Sequence, residues 1–258
     1  MDLLGFGMTQ IVTFILVLAR VGGIFTTAPV FGNVHLSPMV RVAIALSLAF
    51  VFFPMARFDA SHLELLSFVV TIVKEAIVGL AMGFLAALMF AAIEMAGTFV
   101  DLQVGFGFAE VVDPMTRERS AVLGQLQNLA ATLLFLALNG HHIMIRGLAE
   151  SFSIIPIGGM TFSPEAAGNI MQLFAAMFLA ALKIGAPVVG AIFLTDVALG
   201  ILARTVPQLN VFVVGLPAKL AVALIAFIAI MPMAFTVMAG LFSGLHRDLL
   251  VLLKHLSV

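Results

Sequence analysis

Residues Leu182–Lys219 read LKIGAPVVGAIFLTDVALGILARTVPQLNVFVVGLPAK. Two apolar segments flank a short polar turn, Pro207-Gln208-Leu209-Asn210. Followed outward, they become Glu165–Arg204 and Val211–Leu245, each long enough to cross a membrane, since a spanning helix needs about 20 apolar residues. The pattern predicts a helical hairpin. Small residues recur along both arms (Gly185, Ala186, Gly190 and Ala191, then Ala218, Ala221, Ala223 and Ala226) and permit close helix–helix contact. Pro187, Pro217 and Pro232 predict kinks. The alternating segments of about ten residues that a β-barrel would need are absent, so the fold class is an all-α integral membrane protein of long kinked helices in hairpins.

Composition agrees. The chain is 63% hydrophobic and 10% charged, with a mean hydropathy of +1.23. Soluble domains run near 45–50% apolar and about 25% charged, so the bilayer or partner subunits must cover this surface. A net charge of −1 argues against nucleic acid, whose partners carry a basic face. The lack of cysteine excludes disulfides, thiolate metal sites and a cysteine nucleophile. The start, Met1-Asp2-Leu3-Leu4, has neither the basic region nor the cleavage site of a signal peptide, so the first apolar segment is expected to be retained. Tyr and Trp are absent although there are 24 Phe. The usual interfacial aromatic belt is therefore missing, a hint that the chain does not meet lipid in the ordinary way.

The gaps between charges delimit the apolar runs. Asp2 to Arg20 encloses one; Arg20 to Arg41 encloses another, broken by Pro29 and Pro38. Val42–Ala56 is a third, and Leu65–Phe99 is long, with Lys74-Glu75 near its start and Glu94 near its end. Ala121–Ile145 carries no formal charge; Gly147–Ser163 reads as a loop, and Arg247–Val258 as a short amphipathic tail. Three runs are long enough alone; the others are short or interrupted.

A charge at the bilayer centre costs about 2.5–3.5 kcal/mol. Arg20, Lys74, Glu75, Glu94, Asp101, Lys183 and Asp196 are therefore expected to be buried charges that pair between helices or with other subunits. Glu94 and Asp101, seven apart, share one helix face; they could bind a cation or relay protons, or pair with Lys or Arg of another helix. Lys183 and Asp196, thirteen apart, lie roughly 20 Å apart along a helix and cannot pair within it. Arg20-Val21-Gly22-Gly23 followed by Ala28-Pro29-Val30-Phe31-Gly32 predicts a broken helix, tolerated at membrane depth only where protein or water covers it. His141-His142, after Asn139-Gly140, reads as a capped helix end, with no third ligand nearby. No hydrolase, zinc-protease, phosphate-loop or dinucleotide motif occurs, so no catalytic, cofactor or metal residue is assigned. A secondary transporter that uses the buried charges, and a scaffold without gating, are the competing readings.

The stretch Glu94–Ser120, EMAGTFVDLQVGFGFAEVVDPMTRERS, leaves a long apolar segment through Gly105-Phe106-Gly107-Phe108 and ends at Asp113-Pro114 and Arg117-Glu118-Arg119. Glycine permits backbone angles that other residues avoid, and phenylalanine offers an apolar seal.

With ARVGGIFTTAPVFG (Ala19–Gly32), KEAIVGLAMGF (Lys74–Phe84), EMAGTFVDLQVGFGFAEVVDP (Glu94–Pro114), LNGHH (Leu138–His142) and Leu182–Lys219, the chain resembles the FliR family of the flagellar type III export apparatus, whose injectisome relatives are the SctT proteins. The resemblance covers most of the chain; Arg57–Ser67 and Glu150–Asn169 match poorly. It implies a non-enzymatic core subunit of the export gate. Its partners would be FliP-type and FliQ-type subunits, an FlhB-type protein, membrane lipid and unfolded substrates in transit. The setting would be the bacterial inner membrane at the flagellar basal body. It implies a single domain over residues 1–258: a FliP-like part (1–164) and a FliQ-like hairpin with a tail (165–258), assembling into a helical, cone-like channel. It also implies a plug at 105–119, whose residues would be Gly105, Phe106, Gly107, Phe108, Val111, Val112, Asp113, Pro114 and Met115. The Val-Asp-Pro and Asn-Val-Phe-Val-Val-Gly-Leu-Pro-Ala-Lys segments favour flagellar over injectisome use.

Overall fold

The computed structural model describes residues 3–30, 37–56, 58, 64–105, 122–161, 164–208 and 210–257. Among the described residues the regular elements are helices: α1 (Leu3–Thr27), α2 (Pro38–Phe52) with a 3-10 turn at Phe53–Met55, α3 (Leu65–Val104), α4 (Val122–Ala137), α5 (Gly140–Ile154), α6 (Pro164–Thr205) and α7 (Val211–His255). Five helices are long and apolar enough to cross a membrane, or six if α4 and α5, interrupted at Asn139, make one span. The all-α membrane class holds, with more candidate spans than the charge-free runs suggest. Lys74, Glu75 and Asp196 interrupt those runs but sit inside continuous helices, with partners described below.

Several boundaries differ from the sequence expectation. Gly22-Gly23 does not break α1, which continues to Thr27 and ends before Ala28-Pro29. Pro187, Pro217 and Pro232, expected to kink their helices, lie inside helices that continue past them. The presumed loop from Gly147 is helical as far as Ile154, because Leu249 and Met82 pack over Gly147 where a side chain would stand. The tail is not separate: α7 runs past Leu245 to His255, with Leu245, Leu249, Leu252 and Leu253 buried. Asn139 enters α5 in the left-handed region (φ 56°), which Asn tolerates better than most residues. His141 and His142 follow in the first turn, their rings 4.2 Å apart.

The chain divides into two compact units. One comprises Met1–Leu88, Asn139–Phe174 and Ser243–Val258; the other comprises Met89–Leu138 and Ala175–Phe242. The division does not follow residue 164, because each unit draws on both parts of the chain.

In the first unit, α1 lies against α3 with almost no side chain between them. A Cβ on Gly23 would stand 2.6 Å from the Ala76 carbonyl oxygen, and one on Gly79 would run into the Arg20 carbonyl. Thr27 Oγ1 donates to either the Gly23 or the Leu80 carbonyl oxygen, 3.2 Å from each. Small residues at a crossing let two backbones approach, as in membrane helix pairs generally.

The second unit repeats the device. Gly97 of α3 faces Gly124 of α4 backbone to backbone, and Gly185 of α6 faces Ala96. Val100, Val104, Leu123, Val188, Ile192 and Ala223 close its core. Phe90, Phe135 and Phe242, from α3, α4 and α7, form a triangle with ring centroids 5.2–5.5 Å apart. These are the tilted and edge-on contacts that aromatic rings favour.

Adjacent glycines test the first contact. Gly23→Ala is expected to destabilise the purified protein by about 1–3 kcal/mol through overpacking. Gly22→Ala, whose Cβ would meet nothing within 4 Å, should be neutral or stabilise by up to about 1 kcal/mol. Denaturant titration in mild detergent reads both; equal responses would refute the close α1–α3 crossing.

Candidate functional site

Polar side chains gather at three places. In the first unit, Arg20 of α1 is fully buried. Its Nε donates to Glu75 Oε2 of α3 at 2.6 Å. One terminal nitrogen donates to Ser151 Oγ of α5 at 3.1 Å, the other to the Ile155 carbonyl at 3.0 Å. The Phe152 ring lies 4.5 Å from the guanidinium carbon. Glu75, also fully buried, accepts from the Gly158 amide with its second oxygen at 2.9 Å, and Lys74 Nζ donates to the Gly158 carbonyl at 3.3 Å. The guanidinium fork suits this arrangement because its donors diverge in a fixed plane. Gly158, at φ 79°, holds the left-handed backbone that presents both its amide and its carbonyl to α3.

In the second unit, Asp101 of α3 is 3% exposed. Its carboxylate oxygens accept from the amides of Leu123 (3.2 Å) and Gly124 (3.0 Å) in the first turn of α4. Those amides have no partner within their own helix, and the helix N-terminus favours negative charge. Gly97, one turn before Asp101, provides the approach, since a Cβ there would collide with Gly124. At the other stem, α3 ends at Gly105, whose φ of 102° turns the chain and whose amide donates to the Asp101 carbonyl at 3.1 Å. The Asp101 carboxylate, one turn from the end of α3, thus ties the start of α4 to it. Phe106, Gly107, Phe108, Val111, Val112, Asp113, Pro114 and Met115 lie outside the described residues.

Also in the second unit, Asp196 of α6 pairs with Lys219 of α7 at 2.5 Å, and Gln103 Nε2 of α3 donates to its other oxygen at 3.2 Å. These three side chains line a cavity of about 470 Å³ together with Leu102, Gly105 and Leu216.

Within this chain, then, the charged residues named from sequence fall into different classes. Arg20, Glu75 and Asp101 are buried, and Lys74 and Asp196 are half-buried and partnered. Glu94 and Lys183 are exposed. Glu94 and Asp101 both face α4, but their partners are the Asn128 amide (3.3 Å) and backbone amides rather than Lys or Arg. Among the described residues, no cluster of three metal-ligating side chains occurs.

Sequence reading missed Ser151, Gln103, Lys219 and the Gly97–Gly124 contact. A signal for Lys219 was present: Asp196 stands eleven residues before Pro207 and Lys219 nine after Asn210, so a hairpin brings them level. Gln127, buried beside Gly97, carries a side-chain oxygen without a partner among the described residues.

Residues 11–245 match the family described as bacterial export proteins, family 1. The flagellar biosynthetic protein FliR of Bacillus subtilis (strain 168) is 42% identical over 239 residues, covering 89% of this chain and 90% of that protein. The FliR of Escherichia coli (strain K12) is 31% identical over 243 residues, covering 93% and 92%. That of Aquifex aeolicus (strain VF5) is 28% identical over 241 residues, covering 92% of each.

Two substitutions separate the roles of the acids. Glu75→Ala leaves the Arg20 guanidinium buried without its counter-charge and should cost about 3–5 kcal/mol, the range for a broken buried pair. The double change Arg20→Met with Glu75→Leu should recover most of that loss. Asp101→Ala should cost about 1–2 kcal/mol, as for a lost helix cap. Denaturant unfolding of the detergent-solubilised protein measures all three; a double variant no better than Glu75→Ala alone would argue against a coupled pair.

Proposed function

The chain belongs to the FliR family of bacterial export proteins and is a membrane-embedded component of the flagellar export apparatus; on that footing we propose that it is a core subunit of the export gate. In this reading it assembles with FliP-type and FliQ-type subunits and contacts an FlhB-type protein. The complex sits in the bacterial inner membrane at the basal body. Together the subunits enclose a channel for unfolded flagellar proteins, and the segment from Gly105 to Arg119 plugs it.

The observation that carries the reading is the tie at the base of that segment. A plug needs fixed stems and a free tip. The Asp101 carboxylate, on the α3 stem, holds the α4 stem through the Leu123 and Gly124 amides. Gly105 supplies a turn that residues with a Cβ rarely adopt. The residues between the stems include two Phe, two Val and one Met alongside five charged residues, and the apolar five suit closing a pore against water and ions. Phe106, Phe108, Val111, Val112 and Met115 form the seal in this proposal. Gly105 and Gly107 let it swing aside for an arriving chain, while Asp113-Pro114 and Arg117–Arg119 anchor its base.

Shortening the segment between Phe106 and Arg119, with both stems kept, is expected to leave assembly with the other subunits intact and to raise ion conductance across membranes that hold the complex. Planar-bilayer recording on the isolated complex makes the measurement. An assembled, shortened complex that conducts no more than the full-length one would sink the plug reading and favour a scaffold without gating.

A further inference from the structure

Lys183 stands in the middle of the apolar stretch Ile170–Thr205 of α6. Arg20, Lys74, Glu75, Asp101, Asp196 and Lys219 all have partners within the chain. Lys183 is exposed on α6, with no ion pair or hydrogen bond among the described residues. Its exposed neighbours on the helix, Leu179 and Leu182, are apolar. Asp196 lies about 140° around the helix from Lys183, by the 3.6-residue turn, and is already paired with Lys219.

Length makes this cation hard to avoid. Any window of about 20 residues, the length of a span, taken between Ile170 and Thr205 contains Lys183 or Asp196. Only Asp196 is answered from within.

Starting at Leu182, the neighbour of Lys183 in sequence, runs a mainly apolar groove of about 560 Å³, lined by Phe99, Leu102, Leu182, Ala186, Gly190 and Phe193 with Gln103 as its polar member. Its α6 wall is low: Ala186 is exposed, and a Cβ on Gly190 would meet nothing within 4 Å. Small residues on an open helix face let another helix backbone come close. Lys183 is two turns before Gly190, on the same side of α6, and so marks one end of that track.

We infer that this groove receives an apolar helix of another export-gate subunit, and that the incoming helix carries an Asp or Glu level with Lys183. The surface calls for an apolar body to fill the groove and one anionic side chain to answer the lysine. A second copy of this chain meeting it symmetrically would set the same cationic face against itself, which selects a different polypeptide. The inference rests on the export-gate reading but is independent of the plug.

The test uses the full-length chain in cells with the complete set of export subunits. A photo-crosslinking amino acid in place of Gly190 should yield a product whose partner peptide is an apolar helix with an Asp or Glu within one turn of the linkage. Lys183→Glu should lower incorporation of the chain into the isolated complex at least ten-fold, while Lys183→Arg should not. Lys in place of the partner's carboxylate should restore incorporation of the Lys183→Glu chain. A thermal melt of each purified variant, expected to match the unaltered protein, separates lost docking from lost folding. Crosslinks to phospholipid alone would overturn the inference, because the lysine then answers a headgroup. So would a partner helix without an acid, or normal incorporation of Lys183→Glu. If Lys183→Glu is excluded and rescued while the shortened plug segment does not leak, this inference stands and the plug falls; the reverse pair of results does the opposite.

Discussion

A guanidinium buried among apolar helices must have its donors met, because an uncompensated buried charge costs several kcal/mol. Arg20 sets that condition for the first unit. Its donors reach α3, α5 and the turn after α5, and a phenylalanine covers its face. One side chain thereby fixes the position of three elements. Apolar packing alone would leave their sliding register weakly specified, since one leucine surface fits another at several offsets. The polar set does not tolerate such offsets, because a shift of one residue would strand Glu75 or the Ile155 carbonyl.

The ion pair depends in turn on the distance between backbones. At the α1–α3 crossing, Gly23 and Gly79 remove the side chains that would hold the helices apart. Arg20 lies one turn before Gly23, and Glu75 one turn before Gly79, so the charges meet beside the contact. The second unit uses the same order of parts: Gly97 against Gly124 sets the approach, and Asp101, one turn on, meets the α4 amides. In both places glycine fixes how near the helices come, and a charged group fixes where along their length they stop.

This coupling explains what could be read from the sequence and what could not. The helical class and the final hairpin were legible, because long apolar runs around Pro207–Asn210 leave few alternatives. Of the stretch expected to break the first helix, Gly22-Gly23 lies inside α1, where Gly23 packs on α3, and the helix ends before Ala28-Pro29; a glycine pair signals flexibility and close contact equally well until the facing helix is known. The loop read from Gly147 starts too early because its signals, Pro156, Gly158-Gly159 and Pro164, all lie beyond the end of α5 at Ile154. The face shared by Glu94 and Asp101 was legible from their spacing, but their partners were not. Backbone amides leave no mark in a sequence, and Asn128 is one polar residue among several. The charges of the first unit were recognisable as needing partners, yet Ser151 and the Ile155 carbonyl became identifiable only once α5 was seen to continue past Gly147.

The aromatic composition follows from the same economy of polar groups. A buried Tyr or Trp brings a donor that needs a partner, and in these cores the available acceptors are mostly engaged by helix hydrogen bonds. Phenylalanine fills the same volume without that demand, as Phe90, Phe135 and Phe242 do at the meeting of three helices. The outward surfaces carry the remaining apolar area unevenly. In the most apolar window of α3, 61% of residues are buried; the figure is 17% for Pro38–Met55 and for the most apolar window of Val213–His255. Helix α3 is therefore largely buried within each unit, whereas α2 and the most apolar part of α7 present exposed apolar side chains. Such faces have no Trp or Tyr to anchor them at a lipid–water boundary, and coverage by neighbouring subunits is what the proposed gate would supply. That is the arrangement the export-gate reading requires.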